Sequence, residues 1–175
     1  MNGTVTGGIS YRDFLFRNTG SRYHDATPDS LGALQADHGV QWADLDGDGD
    51  LDLALTGQAA PGLDAVLRNQ LPAATATRSL SVRVLDANGR ATRAGAEVRL
   101  YAAGTRRLLG TRLVDTGSGY NAQNDLPVHF GLTSLAPVDV EVVWPANGRR
   151  LVTRVASIRP AAWQGRSLTV RVREP

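Results

Sequence analysis

The stretch Val40-Gln41-Trp42-Ala43-Asp44-Leu45-Asp46-Gly47-Asp48-Gly49-Asp50-Leu51-Asp52-Leu53-Ala54-Leu55 reads as two strands around an acidic loop. Val40 and Trp42 alternate with Gln41 and Ala43, and Leu51, Leu53 and Leu55 alternate with Asp52, Ala54 and Thr56, the period of a half-buried strand. Between them, five carboxylates in nine residues repel one another, so the turn is costly to close without a cation. Gly47 and Gly49 free the backbone to bring alternate side chains to one point. Oxygen-only donors on such a loop suit Ca²⁺, which takes six to eight oxygens, better than Mg²⁺ or zinc. The spacing assigns the side chains of Asp44, Asp46, Asp48 and Asp52 as ligands, with the carbonyl of Asp50 beside them and water for the rest. An EF-hand is ruled out, because its twelfth position needs a bidentate Glu and this one is Leu55, and because the flanks alternate as strands.

Outward from this hairpin the pattern stays β. Upstream, Phe14 to Arg17 and Arg22 to His24 flank the turn-forming Asn18-Thr19-Gly20-Ser21, a second hairpin, and Ser30 to Asp37 allows a single helical turn. Downstream, Ala65 to Asn69 adds a short strand before a connector rich in Ala and Thr, Pro72 to Thr77. Beyond it, Leu80, Val82 and Val84 alternate with Ser81, Arg83 and Leu85, and Asp86 to Gly89 turns the chain. Further strands are expected at Ala96 to Ala102, Leu108 to Val114, Val128 to Leu132, Val138 to Trp144, Leu151 to Ala156 and Leu168 to Val172. Seven short strands with Gly, Asn and Pro breaks predict an antiparallel β-sandwich or barrel over 78–175, behind a separate module over 1–77.

Charge supports two modules. Residues 1–77 hold four Arg against ten Asp, and residues 78–175 hold fifteen Arg against seven acidic residues, so a net charge of +2 hides an acidic half and a basic half. All nineteen basic residues are Arg, which reads as genome bias because it extends over the whole chain. The 175 residues, 42% of them apolar, suffice for a buried core. No apolar run approaches the eighteen residues of a membrane span, and no uncleaved signal peptide is visible at the start. Zero cysteines exclude disulfides and thiolate metal sites.

Other candidates are weaker. His24, His38 and His129 stand in no metal-ligand spacing and read as hydrogen-bonded structural residues. Ser118 with His129 and Asp115 or Asp125 lacks any nucleophile elbow. The arginines of the second half alternate within strands as on an exposed sheet face and lack an aromatic stacking platform, so no nucleic-acid partner is expected. Trp42, Trp144 and Trp163 read as core. The polar stretch from Gly117 to Asp125 is long for a sandwich loop, and its amides and carboxylates satisfy either one another or a partner.

The acidic loop with Trp42-Ala43 before it and Leu53-Ala54-Leu55 after it looks like the calcium loop of an FG-GAP/VCBS repeat, the blade of an integrin-like β-propeller. Phe14 to Asn18 resembles the outer strand preceding such a loop. From Leu80 onward the chain is similar to the ASPIC/UnbV domain of the cartilage acidic protein family, through Gly117-Ser118-Gly119-Tyr120, Gln123-Asn124-Asp125, His129-Phe130-Gly131-Leu132 and Val143-Trp144-Pro145, in that order. The resemblance implies one β-propeller-like blade followed by a β domain, in a secreted or cell-surface protein whose relatives carry several blades. It implies a non-catalytic, calcium-stabilised interaction module, the C-terminal part of a larger propeller assembly. Protein or glycan ligands and further blades in cis or trans are the partners it suggests. The alternative is a cyclase- or isomerase-like enzyme of secondary metabolism, of the enediyne biosynthetic kind, drawing acid and base groups from Tyr120, Asp125 and His129.

Overall fold

The computed structural model describes residues 5–6, 9–10, 13–32, 37–57, 64–91, 94–115, 117, 119, 122–124, 127–146 and 148–173. The protein is all-β and sandwich-like, with no closed barrel among the described residues. It divides into two compact units that do not follow the chain. One comprises Met1–Ala43, Asp52–Arg68 and Gly117–Asn124; the other comprises Asp44–Leu51, Asn69–Thr116 and Asp125–Pro175. The acidic loop therefore belongs to the unit built mainly from the second half of the sequence.

In the first unit, β1 (Val5–Thr6) pairs with β2 (Ile9–Ser10), and β3 (Phe16–Asn18) forms a hairpin with β4 (Tyr23–Asp25). The hairpin turn is held where the carboxamide of Asn18 accepts from the Gly20 amide at 2.8 Å. One helical turn, α1 (Asp29–Gly32), follows. β5 (Asp37–Ala43), β6 (Asp52–Gly57) and β7 (Ala65–Leu67) make a three-stranded antiparallel sheet, with Trp42 opposite Leu53 and Ala43 opposite Asp52. Its buried centre is Leu31, Leu53 and Leu55, with Leu15, Val40, Trp42, Ala65 and Leu67 packed around them. Phe14 and Phe16 stack on one another with ring centres 5.8 Å apart and stay exposed.

After the acidic loop, the second unit continues with the turn α2 (Ala73–Ala76). Its strands are β8 (Ser79–Leu85), β9 (Glu97–Ala102), β10 (Leu108–Leu113), β11 (Val128–Gly131), β12 (Val138–Ala146), β13 (Arg149–Ile158) and β14 (Leu168–Arg171). A four-stranded sheet has the order β10-β9-β12-β13 and a three-stranded sheet the order β11-β8-β14. Their apolar positions share one core, including Leu80, Val82 and Val84 of β8, Val98 and Leu100 of β9, Phe130 of β11, Val140, Val142 and Trp144 of β12, and Leu168 and Val170 of β14. One pairing is parallel: β14 runs beside β8 with Leu168 opposite Val82. Parallel neighbours require a long crossover, and here the whole four-stranded sheet lies between them in sequence. β12 also runs past Pro145, which lies beyond the end of its pairing with β9 at Val143 and so beside one neighbour only.

The outer face of the four-stranded sheet accounts for several arginines. Glu141 stands opposite Arg99 on one neighbour and Arg154 on the other. Arg154 donates to it at 2.6 Å, and Arg99 donates to Glu97 at 2.7 Å. The Arg99 guanidinium holds the Glu97 carboxyl below its ordinary range. Asp139 is held low as well, its carboxylate accepting the amides of Ser157 at 2.8 Å and Gly104 at 2.9 Å. Carboxyls lowered in the folded state leave the unfolded chain the better proton binder, so their stabilisation is complete above the ordinary carboxylate pKa and is lost as pH falls through the folded values. We expect the urea midpoint to drop below about pH 4, and Asp139→Asn to flatten that acid limb while lowering the midpoint at neutral pH. An acid limb unchanged by the substitution would assign the loss to other groups.

Candidate functional site

The acidic loop leaves β5 at Asp44 and re-enters β6 at Asp52, and its backbone is organised by its own carboxylates. Asp44 accepts from the amide of Gly47 at 2.8 Å and, through its second oxygen, from Gly49 at 3.1 Å. Asp46 accepts from Asp48 at 3.2 Å and Asp48 from Asp50 at 3.0 Å. These turns need positive φ at two residues, which are Gly47 at 77° and Gly49 at 101°. As a result the carboxylates of Asp44, Asp46 and Asp48 each place an oxygen within 4.8 Å of the others. Oxygens facing each other across an ion bound at 2.3–2.6 Å are about 4.6–5.2 Å apart, so this group fits an oxygen-ligated cation of calcium size. Each carboxylate oxygen has a lone pair left after one N–H bond, so the turns and a cation do not compete.

Asp50 and Asp52 lie outside that group and are buried, at 4% and 2% exposure. A carboxylate oxygen of Asp50 accepts the Leu71 amide at 3.3 Å, so its side chain ties the loop to the following segment. The role read for Asp50 from the sequence used its carbonyl and is compatible with that tie. Asp52 sits in β6 opposite Ala43.

Within the second unit the loop is clamped at Gly49. A Cβ there would stand 2.7 Å from the Ala76 carbonyl oxygen and 3.1 Å from the Ser79 hydroxyl. His129 of β11 reaches the Gly49 carbonyl at 3.0 Å through Nε2. A carbonyl only accepts, so Nε2 carries the proton in this arrangement. His129 is thus a structural donor to the loop. Tyr120 and Asp125, the other two residues of the enzymatic reading, lie outside the described residues, as do Ser118 and Asn121. From the same polar stretch, Asn124 accepts the Trp42 amide at 3.0 Å, within the first unit. This Asn124 bond goes to a strand 82 residues away rather than to the polar stretch itself.

Beside the loop, a recess of about 210 Å³ opens in the second unit between β8 and the segment after the 3₁₀ turn Pro160–Trp163. Asp44, Gly47 and Gly49 form one side of it, and Ser79, Ser81, Arg83, Trp163, Arg166 and Ser167 the other. Trp163, read as core from the sequence, packs against the large core while half-buried, with the Arg166 guanidinium 4.8 Å from the ring centre. No sequence signal marks these residues, since they converge from both ends of the second unit.

Residues 5–55 match the FG-GAP-like repeat and residues 87–163 match the ASPIC and UnbV family. The chain carries an FG-GAP-like repeat followed by an ASPIC/UnbV domain. No curated protein matches the sequence. The two domains point to an interaction module of the extracellular type, and among the described residues no helix is long and apolar enough to cross a membrane.

Proposed function

We propose that the chain is a calcium-stabilised, non-catalytic binding module of a secreted or cell-surface protein, acting as the C-terminal part of a larger propeller assembly. The observation that carries this reading is the convergence of Asp44, Asp46 and Asp48 on a loop anchored to the β domain at Gly49. Calcium supplies charge there: it cancels the repulsion of three carboxylates and so fixes a loop that also forms a wall of the recess. The exposed stack of Phe14 and Phe16, with Tyr23 nearby in sequence and 71% exposed, supports neighbouring blades as partners in cis or trans.

Calorimetry tests it directly. One calcium site is expected with Kd on the order of 10⁻⁴ to 10⁻³ M, as in extracellular modules, and Asp48→Ala should abolish it. At a hundredfold excess over Kd, binding stabilises the fold by about 2.7 kcal/mol, so a chelator should lower Tm by several degrees. A melt that ignores both calcium and chelator would overturn the reading.

A further inference from the structure

The recess beside the acidic loop is lined by polar side chains that have no protein partner. Among the described residues, the Arg83 guanidinium makes no ion pair or hydrogen bond although the side chain is half-buried, and the hydroxyls of Ser79, Ser81 and Ser167 have no hydrogen-bond partner. Arg83 lies between the buried Val82 and Val84 of β8, which fixes its position. Arg166 is held in place by two bonds to the Ala162 carbonyl, at 2.7 and 3.1 Å, and covers Trp163. These groups face the recess and are hydrated there, so a ligand with matching donors and acceptors can take the place of that water. Such groups are what a polar ligand meets on entry.

We infer that this recess binds a small carboxylated sugar of the uronic acid class. The free guanidinium of Arg83 pairs with the carboxylate, the three serine hydroxyls exchange hydrogen bonds with sugar hydroxyls, and Arg166, seated over Trp163, adds positive charge to the same wall. The volume of about 210 Å³ equals the liquid share of about seven waters, the scale of one ring and not of an oligomer. The inference rests on the calcium reading in one respect. Three carboxylates on the Asp44 side outweigh the two guanidinium groups and repel an anion, whereas a divalent cation in the loop reverses the balance. Uptake of the acid sugar therefore depends on calcium, and calcium affinity rises reciprocally when the sugar is bound.

The test is calorimetry of the full chain with D-glucuronate, D-glucose and inorganic phosphate, each with calcium and with chelator, alongside a separate calcium titration. We expect glucuronate to bind in calcium, glucose at least about tenfold more weakly for lack of the charged contact, and chelator to remove binding. Arg83→Gln should weaken glucuronate about tenfold or more and leave the calcium isotherm without sugar unchanged. A normal calcium isotherm with no glucuronate binding overturns this inference alone. A flat calcium isotherm overturns the module reading and this inference with it. Glucose or phosphate binding as well as glucuronate, or glucuronate binding in chelator, would each refute the proposed specificity or its dependence on the cation.

Discussion

Gly49→Ala should be among the most damaging single-methyl changes in the protein. The residue sits at φ 101°, and the added carbon would lie 2.7 Å from a backbone oxygen of α2, that of Ala76. Strain of the first kind costs about 1–3 kcal/mol, and the second cannot be relieved by a side-chain rotation, because the atom struck is main chain. The loop must move, and with it go the Gly49 amide that holds Asp44 and the Gly49 carbonyl that holds His129. Calcium affinity should therefore collapse together with stability. Gly47→Ala is the matched control: its φ is 77°, but nothing lies within 4 Å of the added carbon. It should cost only the conformational strain, about 1–2 kcal/mol, and reduce calcium affinity less. Melts and calcium isotherms of the two variants check this, and a Gly47→Ala as damaging as Gly49→Ala would remove the clamp from the account.

Most of the fold was legible in the sequence, because alternation is a local signal. β8 with Leu80, Val82 and Val84 inward is written in seven consecutive residues, and the hairpins at Asn18 to Ser21 and at the acidic loop are bounded by their own turn residues. What was not legible is how segments are exchanged. Nothing local in Asp44 to Leu51 shows that the loop packs with strands that begin at Ser79, and nothing in Gly117 to Asn124 shows that it joins the unit containing β5. Nor does alternation tell β14 to lie parallel to β8, since the period is the same in either direction.

The site divides the same way. Asp44, Asp46 and Asp48 could be found by counting, since cation ligands on one tight loop come at short fixed spacing. The His129 contact to Gly49 spans 80 residues, so the sequence could rank this histidine as structural but could not say what it holds. The recess was invisible for a related reason. Arg83 looked like one of many strand arginines, and only the fold distinguishes it from Arg99 and Arg154, which are paired on the other sheet with Glu97 and Glu141.

A chain beginning at Thr77 should still unfold cooperatively yet lose calcium altogether. Every member of the large core, from Leu80 to Val172, lies within that fragment, and none comes from the acidic loop. A core of sixteen buried residues among those described, carried by five strands and the residues flanking them, has no need of a metal to hold its sheets together. What the fragment gives up is the loop and α2 together, the loop's contact with Ser79, and the His129 bond to Gly49, the last worth about 0.5–1.5 kcal/mol. Its Tm should therefore lie below that of the full chain in calcium, and chelator should shift the full chain but not the fragment. The comparison separates two roles the loop can play. If the fragment is molten or insoluble, the loop is part of what makes the β domain fold; if chelator still lowers its Tm, calcium binds elsewhere than at Asp44, Asp46 and Asp48. Only a sharp, chelator-insensitive melt fits a domain that folds on its apolar core and uses the cation to set one wall of its recess.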